Sequence, residues 1–148
     1  MVNDGLEMRW RPVLAVLVAV LMTGCHNPTS INNNTVENLA GVVKPGMAAS
    51  NNFNVTNAGE VQITLQSLTP GGAVYLAAAY GQPNAGVCQP VNWQVIGSTY
   101  VGKTVFDFPV YAAGQYCMLT ADCALVPQVC ALPGLTVAQT YSYQVSHP

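Results

Sequence analysis

Charge is what this sequence has least of. Lysine and arginine together number 4, aspartate and glutamate 6, and charged residues make up 7% of the chain, against about 25% in ordinary soluble domains. So few cations leave no basic stripe to neutralise a run of phosphates, which excludes nucleic acid as a partner. Histidine is scarcer still, with His26 and His147 at opposite ends of the chain, His147 one residue from its end and read as an exposed tail residue. Nucleophilic catalysis needs a nucleophile, a base and an orienting group within reach of one another, and two such distant histidines do not supply them. Of the carboxylates, Glu60 begins a strand pattern, Asp107 sits between two phenylalanines and Asp122 reads as a cap where a strand runs into a loop. No carboxylate pair for acid/base work emerges from them. Neither a glycine-rich phosphate loop nor a DxDxDG calcium pattern is present, and the reading is of a protein that is not an enzyme. Long apolar runs are missing too. A membrane-spanning helix needs about 20 apolar residues, and the run Val13–Met22 is half that. Low charge does not imply disorder here, because 51% of the residues are hydrophobic, enough to build a core in a chain suited to one domain.

What is present begins at the amino terminus. Val13 to Cys25 reads VLAVLVAVLMTGC, an apolar stretch closing on small residues and a cysteine. Arg9 and Arg11 precede it and supply the positive flank of a secretory signal. Residues 1–7 carry Asp4 and Glu7, which do not suit such a flank, so Met8 reads as the initiator. The ending Leu21-Met22-Thr23-Gly24-Cys25 resembles the lipobox of bacterial lipoproteins, with Met22 where leucine is preferred. The resemblance implies that Cys25 receives a diacylglyceryl group, that residues 1–24 are removed, and that the new amino terminus is acylated. It places the chain outside the cytoplasm on a bacterial membrane, the outer membrane on its periplasmic or surface face. His26 follows the cysteine where an aspartate would oppose that sorting. The membrane is then a partner through covalent lipid, and no other cofactor is expected.

Cleavage before Cys25 would leave Lys44 and Lys103 against Glu37, Glu60, Asp107 and Asp122, a net charge of −2. An anionic membrane surface does not attract such a chain, so the lipid must do the anchoring, and stable anchoring takes more than one acyl chain. Residues 25–38 (CHNPTSINNNTVEN) are polar and aperiodic and read as a lipidated cysteine with a flexible tether. Asn33-Asn34-Thr35 and Asn54-Val55-Thr56 match the glycosylation sequon, which in such a chain reflects composition.

Residues 39–148 read as all-β. Glu60–Leu68 gives the clearest strand, with Val61, Ile63 and Leu65 alternating against Gln62, Thr64 and Gln66. Shorter strands are expected at Leu39–Val43 and Asn52–Thr56. Ala73–Tyr80 is a continuous apolar run suited to a buried central strand, and Gly81–Pro90 reads as a loop carrying Cys88. Trp93–Val101 is extended but poorly patterned. Thr104–Val110 turns Phe106, Phe108 and Val110 inward, with Pro109 marking an edge. Tyr116–Ala121, a long loop Asp122–Gly134 and a closing strand Thr140–Ser146 complete the series. Seven or eight short strands at this spacing predict an antiparallel β-sandwich of jelly-roll or immunoglobulin-like type.

The order FNVTNAGEVQITLQSLTPGG, an apolar strand, a cysteine loop, AAGQYCMLTAD and a terminal YSYQVSHP resembles the pre-peptidase C-terminal type of bacterial secreted domain, over roughly Leu39–Pro148. The resemblance implies a non-catalytic β-sandwich with folding, adhesion or carbohydrate-binding roles. This chain departs from that setting in carrying no catalytic domain alongside.

Cys88, Cys117, Cys123 and Cys130 remain after Cys25, and an even count in an exported chain implies two disulfides with three possible pairings. The pairing favoured is Cys88–Cys117, tying the loop after the central strand to a late strand, with Cys123–Cys130 stapling the long apolar loop. Zinc is disfavoured, because Cys123 and Cys130 lack CxxC spacing and a neighbouring histidine.

The remaining chemistry is recognition by surface. Tyr75, Tyr80, Trp93, Tyr100 and Tyr111 offer aromatic faces, and Trp93, Tyr80 and Tyr100 are the candidate binding residues, although most aromatics of a small sandwich serve packing. The loop Ala124–Leu132 is a second candidate, since exposed apolar surface marks contact sites. The sequence thus points to a lipid-anchored, non-catalytic interaction or structural module whose partners are envelope proteins or glycans. Two alternatives are a carbohydrate-binding accessory lipoprotein and an inhibitor of secreted enzymes acting through the stapled loop.

Overall fold

The computed structural model describes residues 34–148. Met8, the Val13–Met22 run, the lipidation position Cys25 and most of the tether lie outside them. Eight strands follow in order: β1 (Thr35–Val43), β2 (Ala48–Val55), β3 (Gly59–Thr69), β4 (Tyr75–Asn84), β5 (Val87–Gly97), β6 (Lys103–Val110), β7 (Gly114–Asp122) and β8 (Gln139–His147). They form two four-stranded antiparallel sheets, β1-β8-β3-β6 and β2-β7-β4-β5. Apart from the β4–β5 hairpin, every connection crosses from one sheet to the other. That is the jelly-roll order, which settles the choice between the two sandwich types in its favour. No helix among the described residues is long and apolar enough to cross a membrane.

Period-two patterning decides which side chains meet between the sheets. Val61, Ile63 and Leu65 of β3 are fully buried, and a bulge after Leu65 resets the register so that Leu68 also turns inward. On β8, Gln139, Tyr141, Tyr143, Val145 and His147 all face the core. The two buried tyrosine hydroxyls are satisfied across the sandwich. Tyr141 donates to Asn51 Oδ1 at 2.8 Å, and the Tyr143 hydroxyl pairs with Thr120 Oγ1 at 3.1 Å. Central strand β4 is covered on both faces, which is why its sequence is continuously apolar. Leu76 and Ala78 join the main core, while Ala77 lies in a smaller cluster with Cys123 and Cys130, flanked by Trp93, Val95 and Val126.

Three sequence expectations change. β1 begins at Thr35, within the stretch read as tether, because its first residues pair with the end of β8, Thr35 opposite His147. The domain therefore starts before Leu39. Gly81–Pro90 is no loop: β4 continues to Asn84 and β5 starts at Val87, joined by a tight turn. Ala85 and Gly86 have φ of 50° and 80°, the left-handed pair of a type I′ hairpin turn. The weakly patterned Trp93–Val101 divides into the end of β5 and a single 3-10 turn, Ser98–Tyr100. By contrast Pro109 lies on β6, an edge strand of its sheet, as its missing N–H requires.

Candidate binding groove

Both disulfides have the favoured pairing, Cys88 with Cys117 and Cys123 with Cys130. The first joins β5 to β7 although β4 lies between them in the sheet. Cα atoms of Cys88 and Cys117 are 5.8 Å apart, far closer than strands two places apart in a flat sheet. A bulge between Tyr80 and Gly81 bends the hairpin there and lets its tip curl over β7. Gly81 is needed at the bend, since a Cβ built on it would run into the backbone of Gln89 and Pro90. The second disulfide closes the start of the long loop against Ala77.

The candidate binding aromatics are dispersed. Trp93 is half-buried on β5, on the outward face of its sheet, and packs over the Cys123–Cys130 cluster. Tyr100 sits in the 3-10 turn and packs against the main core. Tyr80 faces inward from β4, where its ring lies parallel to Phe108 at 3.7 Å and edge-on to Phe106 at 5.2 Å. The three do not form a row.

Tyr80 instead forms part of a different site. Where edge strands β5 and β6 leave the sandwich open, a groove of about 430 Å³ is lined by Tyr80, Phe108, Tyr111, Tyr116, Gln82 and Val91, among others. Four of these six are aromatic and none is charged. Tyr116 donates its hydroxyl to Ala112 O at 3.2 Å, bracing the β6–β7 turn that presents Tyr111. Tyr111 is 89% exposed, leaving its ring faces free. Sequence reading named Tyr80 and Tyr111 as aromatic faces, but strands distant in sequence bring them together, and no local pattern marks the groove.

The buried ionisable side chains, Asp122 and His147, are engaged by protein partners. Asp122 is 1% exposed. Its Oδ2 accepts from Gly46 N at 2.6 Å, and Oδ1 accepts from Leu135 N at 2.9 Å and Ala124 N at 3.2 Å. Burial alone would raise its pKa, but the backbone donors Gly46, Leu135 and Ala124 outweigh it and hold the carboxyl below its ordinary value. The capping role read from sequence is thus extended to three segments. Glu60 and Asp107 are diagonal neighbours on the outer face of β3 and β6, and Asp107 raises the Glu60 pKa by hydrogen bonding and like charge. His147 departs from the exposed tail position that its sequence place suggested. β8 carries its alternation to the last pair with β1, so the imidazole is 1% exposed and packs against Phe53, with ring centroids 6.0 Å apart. Nε2 lies 2.9 Å from Glu37 Oε1 and Nδ1 lies 3.1 Å from the main-chain oxygen of Pro148. No cluster of three or more His, Cys, Asp or Glu side chains suited to a metal occurs among the described residues.

Comparison with known proteins finds no family model and no curated protein that matches the chain.

Proposed function

We propose that the chain is a lipid-anchored, non-catalytic binding module of the bacterial envelope, exported by its Val13–Cys25 signal and held by lipid on Cys25. The accessory role implied by the resemblance to pre-peptidase C-terminal domains fits this reading. One observation carries the binding role: the uncharged aromatic groove at the open side of the sandwich, with an exposed tyrosine at its lip. Pockets of this size and apolar lining with a few polar groups are the usual seats of small ligands. The non-catalytic part is supported by the ionisable groups. Both nitrogens of His147 are already engaged, and the Asp122 carboxylate is taken up by backbone donors.

The groove favours carbohydrate among the ligands open to such a module. A neutral, amphipathic sugar ring suits tyrosine faces with an amide beside them, whereas a charged ligand would find no counter-charge among the lining residues. The test is binding of purified protein to immobilised envelope glycans, with Tyr111→Ala and Gln82→Ala compared with the unaltered chain. Loss of at least tenfold in affinity for both, with unchanged circular dichroism, supports the reading. Retention of full binding by both variants, or no binding to any glycan, contradicts a carbohydrate site in the groove.

A further inference from the structure

A net charge of −2 conceals a separation of charge along the sandwich. Its strands run between two ends. One end holds Thr35, the turns at 56–58 and 85–86, the β6–β7 turn and His147; the other holds the segments 44–47, 70–74, 98–102 and 123–138. Among the described residues the two lysines, Lys44 and Lys103, both belong to the second end, while Glu37 and Glu60 belong to the first. The second end has a single carboxylate, Asp122, and it is buried with its charge met by three backbone donors. Outward charge at this end is therefore positive.

The same end carries exposed apolar side chains on a braced platform. Met47, Leu125, Leu132 and Val137 are between 39% and 54% exposed. Asp122 ties the 44–47 turn to the long loop, and its own N–H donates to Met47 O at 3.0 Å. The Cys123–Cys130 disulfide fixes the start of that loop. Gln139 Oε1 accepts from Gly71 N, and Ser98 Oγ donates to Gly72 O, so the remaining segments are linked as well. Apolar groups held outward by such bracing do not have to be ordered again when they meet a partner.

We propose that this end docks on an anionic lipid bilayer, with Leu125, Leu132, Val137 and Met47 entering the interface and Lys44 and Lys103 meeting the headgroups. Charge complementarity selects the occupant: a surface that is apolar just beneath and negative above matches apolar side chains flanked by lysines with no free carboxylate. The proposal goes beyond the groove and is independent of lipid on Cys25. Docked in this way, the domain keeps its groove, at the opposite end, open to solvent.

The experiment uses the chain from residue 25 onward with Cys25→Ala, so that neither covalent lipid nor the signal stretch plays a part. Tryptophan is introduced at either end, as Leu125→Trp or as Ala58→Trp, both at exposed positions. Each protein is mixed with vesicles of phosphatidylcholine and phosphatidylglycerol with brominated tails, which quench indole fluorescence only at the bilayer. Trp93 is common to both proteins and cancels in the comparison. The expected result is quenching at Leu125→Trp at least threefold greater than at Ala58→Trp. Lys44→Gln and Lys103→Gln should each weaken partitioning about fivefold. Equal quenching at the two ends overturns the proposal, as does partitioning that neither lysine substitution nor phosphatidylcholine-only vesicles reduce.

Discussion

The ring of Tyr80 on β4 lies against that of Phe108 on β6, 3.7 Å between centroids and 4° between planes. This contact joins the two sheets where their edge strands stand open, and it forms the floor of the groove. Phe108 and Tyr111, only three residues apart, should respond differently to truncation. Phe108 is buried, so Phe108→Ala should cost about 3–5 kcal/mol, as other core phenylalanine deletions do. Tyr111→Ala should stay within about 0.5 kcal/mol of the unaltered chain while lowering glycan affinity at least tenfold. Urea unfolding of both variants measures the difference.

The two disulfides should differ in what they hold. Loop-closure arithmetic assigns about 3.5 kcal/mol to Cys88–Cys117 and about 2.5 kcal/mol to Cys123–Cys130, whose sequence separations are 29 and 7. Replacing both cysteines of the first pair by serine should lower global stability and free the hairpin tip from β7. The same change in the second pair should raise hydrogen exchange in residues 123–135 before it affects the sheets. Exchange protection mapped along the chain separates the outcomes.

Two carboxylates should shift the pH dependence of stability in opposite directions. The Asp122 pKa is depressed below its reference value of 3.8, so its contribution is present above that value and is lost as pH falls through the folded pKa. Asp122→Asn should cost about 2–4 kcal/mol at pH 7, with a smaller loss in acid. Glu60 has a pKa raised above 4.5, so the fold favours its protonated form, an advantage lost as pH rises through the folded pKa. Glu60→Gln should therefore stabilise the protein at neutral pH and do little in acid. Denaturant midpoints from pH 3 to pH 7 check both signs.

The hairpin turn offers room for improvement. Ala85 occupies a φ of 50°, a region that costs an alanine about 1 kcal/mol and suits asparagine before glycine. Ala85→Asn should raise stability by about 0.5–1 kcal/mol. Gly81→Ala should be strongly destabilising, because the added methyl meets Gln89 backbone that the bend cannot move away. Thermal unfolding of the two variants should shift in opposite directions.

How much of this was legible in the sequence depended on distance along the chain. Strand β3 and the inward set of β8 were readable because alternation is a local property. Burial of Leu76 through Ala79 was readable because a strand covered on both faces has no polar side. The β4–β5 hairpin was hidden, since its turn places Ala85 between Asn84 and Gly86 and so breaks the familiar asparagine–glycine signal. His147 was misread because chain position hid its pairing with Thr35 and its contact with Glu37. The groove draws on β4, β5, β6 and β7, and the gathering of Lys44 and Lys103 at one end depends on strand direction. Neither leaves a local trace.

The anchored, exported state is the centre of the account, and one measurement bears on it most directly. Protein extracted from membranes is weighed intact, before and after reduction. A chain that begins at Cys25, carries the mass of diacylglyceryl and acyl groups, and gains about four hydrogens on reduction is the predicted result. A chain retaining residues 1–24, without lipid and with all five cysteines as free thiols, would contradict export, anchoring and the disulfide-braced fold together.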